Sequence, residues 1–378
     1  MKLVMCVLSA FLATSSSEAW ACTAFTATCG STTLVGNNED FNNPRTRIWF
    51  VPGSAKELGR LYVGYDNGDP QGGMNEAGLF FDGFQADRGA SRAAGASTPK
   101  PRFDGVLADK AMAECRTVDD VVRLFEQYDR SFLDSGVLMF ADKSGGAVAI
   151  EQDAIVRKNG PWFVQTNFRQ STTPESAISC PRFLTATRML KEMAGCASID
   201  GFRRVLAATS VEGQYPTLYS NLYELDKGVM HLYYFRDFEH PRTFRLADEL
   251  MLGAHSIEMA SFFPDNAPAR AFAEARQREI TQRVVAVGDA VLATYVGRYQ
   301  TPDGAVVVIR KQGAKLTAET PGPSVVDLLP DSQTTFFVPG LPVRVHFMSG
   351  PSGKVERLDI LQVVSYPAKT TSAQRLPD

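Results

Sequence analysis

The chain has 378 residues, of which 44% are hydrophobic and 21% are charged, and its formal net charge is −3. This length and composition fit a globular protein of one or two domains and exclude an intrinsically disordered chain. Basic residues are not in excess, so the sequence offers no electrostatic basis for binding nucleic acid.

The first 21 residues predict a secretory signal peptide. Lys2 precedes an apolar run over 3–12 that is too short to span a bilayer, and residues 19–21 (AWA) form a small-x-small cleavage pattern. We therefore expect an exported protein, periplasmic or secreted, that begins at Cys22. No later stretch is apolar and long enough to cross a membrane.

A mature chain that begins at Cys22 would carry a thiol and an α-amine on the same residue. The α-amine has an ordinary pKa of about 7.7 to 8, so it can accept the thiol proton near neutral pH. This predicts an N-terminal nucleophile that needs no separate side-chain base. Two alternatives stay open: Cys22 is lipidated and anchors the protein to a membrane, or it forms a disulfide with Cys29.

The remaining cysteines and the histidines restrict the chemistry further. Removal of the signal peptide leaves five cysteines, and an odd count in an exported protein suggests one reactive thiol beside disulfides. The four others allow three pairings, of which Cys180 with Cys196 closes the smallest loop. The four histidines show no HExxH pattern, so the sequence indicates no metal site.

The predicted elements after Cys22 alternate between strands and helices, which indicates a layered α+β fold. A long loop over 88–101 has the character of a segment that covers a site. Helices are predicted over 106–115, 118–128, 181–193 and 199–208. Strands are predicted over 23–28, 32–36, 47–51, 61–65, 79–84, 137–141, 147–151, 162–166, 218–225 and 229–235.

The composition changes after residue 252. We expect a catalytic domain over 22–252 and a helical connector over 253–286, with helix from about residue 255 to 282 and a break near residues 264–268. Regularly spaced Gly and Pro turns then predict a small all-β domain over 287–367. The last residues, 368–378, have the composition of a disordered tail.

Short motifs in a fixed order carry a family resemblance. CTAF at 22–25 and GNNED at 36–40 resemble the N-terminal-cysteine linear amide C–N hydrolases of the choloylglycine hydrolase and penicillin V acylase type, together with the related isopenicillin acyltransferases. Further matches lie at GMNEAGL (73–79), ADKSGGAVAIE (141–151), QTNF (165–168), PRF (181–183) and YSNLYELDKG (219–228). The resemblance covers about 22–246. The C-terminal segment resembles β domains appended to β-lactamase-related hydrolases.

The resemblance implies an αββα N-terminal-nucleophile sandwich and assigns roles to individual residues. Cys22 would be the nucleophile, and Asp40 would hold its α-amine. Asn167, through its side chain, and a backbone N–H near Gln85 would stabilise the oxyanion. Arg182 would lie near the thiol and favour the thiolate. Simpler alternatives are a turn cap for Asn167, a solvated turn for Asp40 and a surface position for Arg182.

Three positions depart from the family pattern or are ambiguous. Asn37 stands where bile-salt hydrolases carry an arginine, which puts bile-salt specificity in doubt, and Gln85 stands where Asn or Tyr is usual. Asn38 is expected to shape a turn. Phe80, Phe81, Phe84 and Trp162 are candidates for an acyl pocket, although core positions are the simpler interpretation.

The sequence therefore predicts an exported amidase that acts on N-acylated small molecules through an acyl-enzyme and needs no cofactor. An acyltransferase and a non-catalytic binding protein with a blocked Cys22 are the alternatives, and a homo-oligomer is possible. A β-lactamase-like SxxK over residues 97–100 lies in the loop and lacks its SDN and KTG companions, so it is a weak competitor.

Overall fold

The computed structural model describes residues 22–66, 68, 70–86, 100–194, 196, 198–213, 215–302, 304–319, 325–339, 343–362 and 369–377. The predicted signal peptide and most of the 88–101 loop, including Ser97 of the SxxK pattern, lie outside the described residues. Within them, no helix combines the length and apolar character that a membrane span requires.

Two antiparallel sheets form the first part of the fold. One has the order β10-β1-β2-β11-β12-β13, and the other has the order β14-β3-β4-β5-β6-β7-β8-β9. The strands are β1 (Thr23–Cys29), β2 (Thr32–Asp40), β3 (Thr46–Val51), β4 (Arg60–Tyr65), β5 (Pro70–Asn75), β6 (Leu79–Gln85), β7 (Gly136–Asp142), β8 (Ala147–Ile150), β9 (Ile155–Arg157), β10 (Trp162–Gln165), β11 (Thr217–Glu224), β12 (Val229–Tyr234), β13 (Asp237–Arg245) and β14 (His255–Glu258).

Helices cover the outer face of each sheet. α1 and α2 pack on the second sheet through an apolar cluster that includes Phe81 and Phe140, while α3 and α4 pack on the first sheet around Phe25. A third cluster fills the space between the sheets. The helices are α1 (Leu107–Glu114), α2 (Val118–Gln127), α3 (Pro181–Glu192), α4 (Ile199–Thr209), α5 (Leu246–Met251), α6 (Ala267–Arg283) and α7 (Asp289–Tyr295). The four layers confirm the αββα fold.

Local sequence signals explain where these helices begin. Thr117 and Asp120 form a capping box at the start of α2, and Pro181 occupies the first turn of α3. In the GNNED motif, Gly36 is required by packing, because a Cβ there would lie 2.4 Å from the ring of Phe25 on the neighbouring strand. The motif therefore combines a packing residue with the polar residues that follow it.

The predicted helix from residue 255 begins too early. His255–Glu258 is instead strand β14, which pairs with β3 at the edge of the second sheet, and the His255 ring stacks on Phe50. Pairing with an exposed sheet edge overrides the local helical pattern, because it satisfies the backbone groups of both strands. The long helix of this segment, α6, starts only at Ala267.

Eight further strands form a closed barrel after α7. They are β15 (Gly297–Gln300), β16 (Val306–Gln312), β17 (Lys315–Glu319), β18 (Val325–Pro330), β19 (Thr335–Phe337), β20 (Val343–Ser349), β21 (Val355–Gln362) and β22 (Lys369–Arg375). Residues 368–378, predicted as a disordered tail, thus contain β22, which pairs with both β21 and β15. The pairing removes the two free edges that an open seven-stranded sheet would expose.

Candidate active site

The Cys22 side chain lies just before β1 and points into the space between the two sheets. It is 6% exposed, and its thiol is free. Cys29, at the far end of the seven-residue strand β1, forms a disulfide with Cys196. A strand of this length spans roughly 23 Å, so a bond between Cys22 and Cys29 is excluded, and the pairing of Cys180 with Cys196 is excluded as well.

A chain of hydrogen bonds joins four of the residues singled out in the sequence. Arg182 donates from Nη1 to the carbonyl oxygen of Cys22 at 2.6 Å and from Nη2 to Asn167 Oδ1 at 3.2 Å. Asn167 Nδ2 in turn donates to the carbonyl oxygen of Gln85 at 2.9 Å. The residue before β1, the end of β6, the second residue after β10 and the first turn of α3 therefore meet at one place.

Asp40 lies beside this chain and is not a solvated turn residue. It is the last residue of β2 and 1% exposed, and its Oδ1 accepts a hydrogen bond from the hydroxyl of Thr217. Its Oδ2 is buried, makes no hydrogen bond within the described residues, and lies 3.7 Å from Arg182 Nη1. Burial raises the pKa of Asp40 to about 7, against the opposing effects of Thr217, Arg182 and Arg236.

The surroundings of the thiol are acidic, whereas the resemblance implied that Arg182 would favour the thiolate. Burial raises the pKa of the Cys22 thiol well above its usual value, and the carboxyls of Glu39, Asp40 and Asp82 raise it further. Arg182 donates to the main-chain carbonyl oxygen of Cys22. The guanidinium thus fixes the position of the residue and leaves the thiol among acids.

Glu39 and Asp82 are the residues that the sequence analysis missed. Both are buried, and both face the space between the sheets. Asn37 donates to Asp82 Oδ2 at 2.6 Å and accepts from Asn221 at 3.0 Å, so the position where an arginine was expected bridges the two sheets through an amide. Alternate residues of a strand share a face, so residues 37 and 39 lie on the same face as the apolar residue Val35. This alternation is the signal in the sequence that could have identified Glu39.

Asn38 belongs to strand β2 and not to a turn. Its side chain points to the opposite face from Asn37, where Nδ2 donates to the carbonyl oxygen of Leu206 at 2.9 Å and to Thr209 Oγ1 at 3.0 Å. The hydroxyl of Ser220 donates to its Oδ1. Asn38 therefore ties the first sheet to α4, and the motif places alternate residues on the two faces of one strand.

The aromatic candidates for an acyl pocket are mostly core residues. Phe80 and Phe84 are buried between the sheets, and Phe81 is buried under α1 and α2. Trp162 differs, since together with Phe183 it lines a cavity of about 390 Å³ beside β10 and α3. Phe183 directly follows Arg182, so this cavity begins one residue from the hydrogen-bond chain.

The acids of the site are not arranged to bind a metal ion. Across the part of the chain that the structure describes, no three His, Cys, Asp or Glu side chains are close enough together to coordinate one.

A comparison with protein families gives a match for the barrel but not for the sandwich. Residues 281–375, which include α7 and the whole barrel, match the family described as "Domain of unknown function (DUF3471)". No curated protein sequence matches the chain.

Among solved structures, the chain is similar to a variant of the conjugated bile acid hydrolase from Clostridium perfringens, with 15% identity and a TM-score of 0.49, over 62% of this chain and 96% of that one. It is also similar to a penicillin V acylase from Agrobacterium tumefaciens, with 14% identity and a TM-score of 0.42, over 63% and 86%. A third is the Caenorhabditis elegans ortholog of N-acylethanolamine-hydrolyzing acid amidase, with 15% identity and a TM-score of 0.39, over 59% and 99%. By name, all three are hydrolases or acylases, the type of enzyme that the motifs of the chain resemble.

Proposed function

We propose that the protein is exported, begins at Cys22 after cleavage, and hydrolyses linear amide bonds of N-acylated small molecules. The observation that carries the proposal is the hydrogen-bond chain from Cys22 through Arg182 and Asn167 to Gln85, at the end of an αββα sandwich where a free thiol is buried. The named activities of the similar structures support the same class of reaction.

Formation of the acyl-enzyme begins when Cys22 Sγ attacks the acyl carbonyl carbon and a sulfur–carbon bond forms. The second N–H of the Asn167 amide and a backbone N–H near Gln85 would stabilise the oxyanion. The carbon–nitrogen bond then breaks, and the leaving nitrogen takes up the proton that the thiol lost. Water attacks the resulting thioester and releases the acid.

Asp40 supports the role of the α-amine in these steps. Its Oδ2 is a buried acceptor without a hydrogen-bond partner among the described residues, and it lies 3.7 Å from Arg182 Nη1, which donates to the carbonyl oxygen of Cys22. A buried acceptor of this kind is costly unless a donor pairs with it. The α-ammonium that cleavage before Cys22 creates is such a donor, and Asp40 would hold it beside the sulfur.

The disulfide supports export. Disulfides between distant residues persist in oxidising compartments and are rare in the reducing cytosol. Cys29 and Cys196 are 167 residues apart and join β1 to the segment between α3 and α4. Their bond is what an exported protein would use to stabilise the sandwich.

The test is a panel of amides against the mature protein. Conjugated bile acids, penicillin V, N-acylethanolamines and N-acyl homoserine lactones cover acyl and amine groups of different charge. Mass spectrometry of the intact protein should give a chain that starts at Cys22 and gains one acyl group during turnover. A different first residue, or equal turnover by Cys22→Ala, would contradict the proposal, and acyl transfer to an added amine in preference to water would redefine it as an acyltransferase.

A further inference from the structure

Glu39 lies across from Cys22 on the neighbouring strand, β2. Thr23 pairs with Asn38 in the register of β1 and β2, so Cys22 lies opposite Glu39. The Glu39 carboxyl accepts a hydrogen bond at 3.0 Å from the hydroxyl of Tyr65 on β4, and its charge raises the pKa of the Cys22 thiol. Glu39 is 3% exposed and Tyr65 is 4% exposed, so water does not compete for this bond.

We propose that Glu39 is a catalytic residue that accepts the proton of the Cys22 thiol and is held in position by Tyr65. This inference rests on the proposed function in that Cys22 is taken as the nucleophile. The S–H bond breaks, the proton moves to a Glu39 oxygen, and the electron pair stays on sulfur, which then bonds to the acyl carbon. When the carbon–nitrogen bond breaks, the leaving nitrogen takes up this proton.

The second half of the cycle restores Glu39. Water adds to the thioester and gives its proton to Glu39, and the departing sulfur recovers that proton. The products are the free acid and the amine, and Glu39 is ionised again. The α-amine and Glu39 thus flank the thiol as two proton acceptors.

The basicity of Glu39 suits this role. Burial raises its pKa to about 8, even though the hydrogen bond from Tyr65 acts in the opposite direction. An ordinary Glu, with a pKa of about 4.3, is a weak base toward a thiol, whereas a carboxyl near 8 matches the α-amine of an N-terminal residue. Acid–base groups are most effective when their pKa lies near the working pH.

The groups that interact electrostatically with Glu39 come from four strands and the residue before β1. All of them are groups that become negative when they lose a proton: a thiol, carboxyls and phenols. The guanidinium of the site, Arg182, lies 3.7 Å from Asp40. A negative Glu39 would therefore be expected to disfavour the thiolate if it acted through charge alone, as Asp82 does. These groups are Cys22, Asp40 on β2, Tyr65 on β4, Asp82 on β6, and Tyr219 and Tyr223 on β11.

The experiment measures alkylation of Cys22 by iodoacetamide between pH 5 and 10 in the mature protein, with peptide mass spectrometry to separate Cys22 from Cys115 and Cys180. Glu39→Gln keeps the size of the side chain and an acceptor for Tyr65 but cannot take a proton, so we expect slower alkylation. Asp82→Asn is the matched control: it removes a buried carboxyl that raises the pKa of the same thiol, and we expect faster alkylation.

Opposite responses of these two variants support proton acceptance by Glu39. If Glu39→Gln alkylates as fast as wild type, or faster like Asp82→Asn, the inference is wrong. Where an amide substrate is turned over, Glu39→Gln should lower kcat/KM by about 10²-fold, the lower end for general acid–base catalysis, because the α-amine remains. Alkylation needs no substrate, so failure of the amidase assignment and failure of this inference remain distinguishable.

Tyr65→Phe provides a second variant that does not depend on the folding of Glu39→Gln. Its hydroxyl lowers the pKa of Glu39, so its loss should move the midpoint of the alkylation profile to higher pH while the α-amine is untouched. An unchanged midpoint in Tyr65→Phe would contradict the proposed role, whatever the behaviour of the other variants.

Discussion

The interiors of the sandwich and of the barrel are built on different principles. Between and around the sheets, buried positions include Glu39, Asp40, Asp82 and several amides, whereas Thr317 is the one buried polar residue in the described part of the barrel. The barrel core is filled by aromatic contacts among Tyr295, Tyr299, Phe336 and Phe347. Unpaired buried charges are costly. We therefore interpret the buried acids of the sandwich as residues that serve chemistry and not packing.

The strongest test of this contrast is Cys22→Ala. We expect amide turnover to fall by at least about 10⁴-fold, as on loss of a nucleophile, with a change of about 1 kcal/mol in unfolding free energy because a single buried atom is removed. Steady-state kinetics and chemical denaturation measure the two effects. Cys180→Ala is the control and should keep its activity. A comparable loss of turnover in that variant would contradict the assignment of Cys22 as the nucleophile.

Phe336→Ala probes the other region. Phe336 is fully buried in the barrel and packs against Tyr295 and Phe347. Its truncation should destabilise the barrel by about 3–5 kcal/mol. Calorimetry should show a lowered barrel transition, while kcat/KM at a temperature where the variant is folded stays at the wild-type value. A proportionate loss of kcat/KM there would show that the barrel contributes directly to catalysis.

Asn167→Ala should have a smaller effect, confined to the rate. Removal of one oxyanion donor typically lowers kcat by about 10²–10³-fold. Gln170→Ala is a suitable control, because the Gln170 side chain bonds within the same segment, to the Val164 carbonyl oxygen and to Gln165. Equal losses in both variants would assign Asn167 to the support of this loop instead.

The pH dependence of stability should differ in sign between the two regions. The pKa values of Asp40 and Glu39 are raised to about 7 and about 8, so the folded sandwich retains protons that the unfolded chain loses above about pH 4. Its unfolding free energy should therefore fall as the pH rises from about 4 to 8. In the barrel, the hydrogen bond from Arg283 lowers the pKa of Asp331, so the stabilisation that this bond contributes is lost only in acid.

Denaturation of wild type and Glu39→Gln at pH 5 and pH 8 measures this effect. The variant should lose less stability between the two values, because it cannot ionise at position 39. The same slope in both proteins would mean that Glu39 ionises in the folded state as easily as in the unfolded chain. It would also weaken the contrast between the two interiors.

Much of the sandwich could be predicted because its signals are local. The capping box at Thr117, Pro181 in the first turn of α3 and the alternation within β1 and β2 lie within a few residues of the elements that they define. β14 and β22 were missed for the opposite reason. Each exists because a distant strand edge needs a partner, β3 for His255–Glu258 and β15 for Lys369–Arg375, and no local pattern records that requirement.

The same division applies to the site. Cys22, Asp40, Gln85, Asn167 and Arg182 stand in motifs whose order can be read along the chain, and the structure brings them together. The roles of these residues stay predictions. Glu39, Asp82 and Tyr65 could not be found in this way, because their importance depends on how one sheet lies over the other.

The barrel can close only at the end of synthesis. Its first strand, β15, pairs with its last, β22, and about seventy residues separate the two in the chain. Every strand of the sandwich leaves the ribosome before any of the barrel strands, so its sheets can pair while the barrel is still incomplete. Until residues 369–375 emerge, β15 presents an open edge that other chains can join. When chaperones that shield such edges are scarce, the nascent protein should therefore form aggregates joined through the barrel strands.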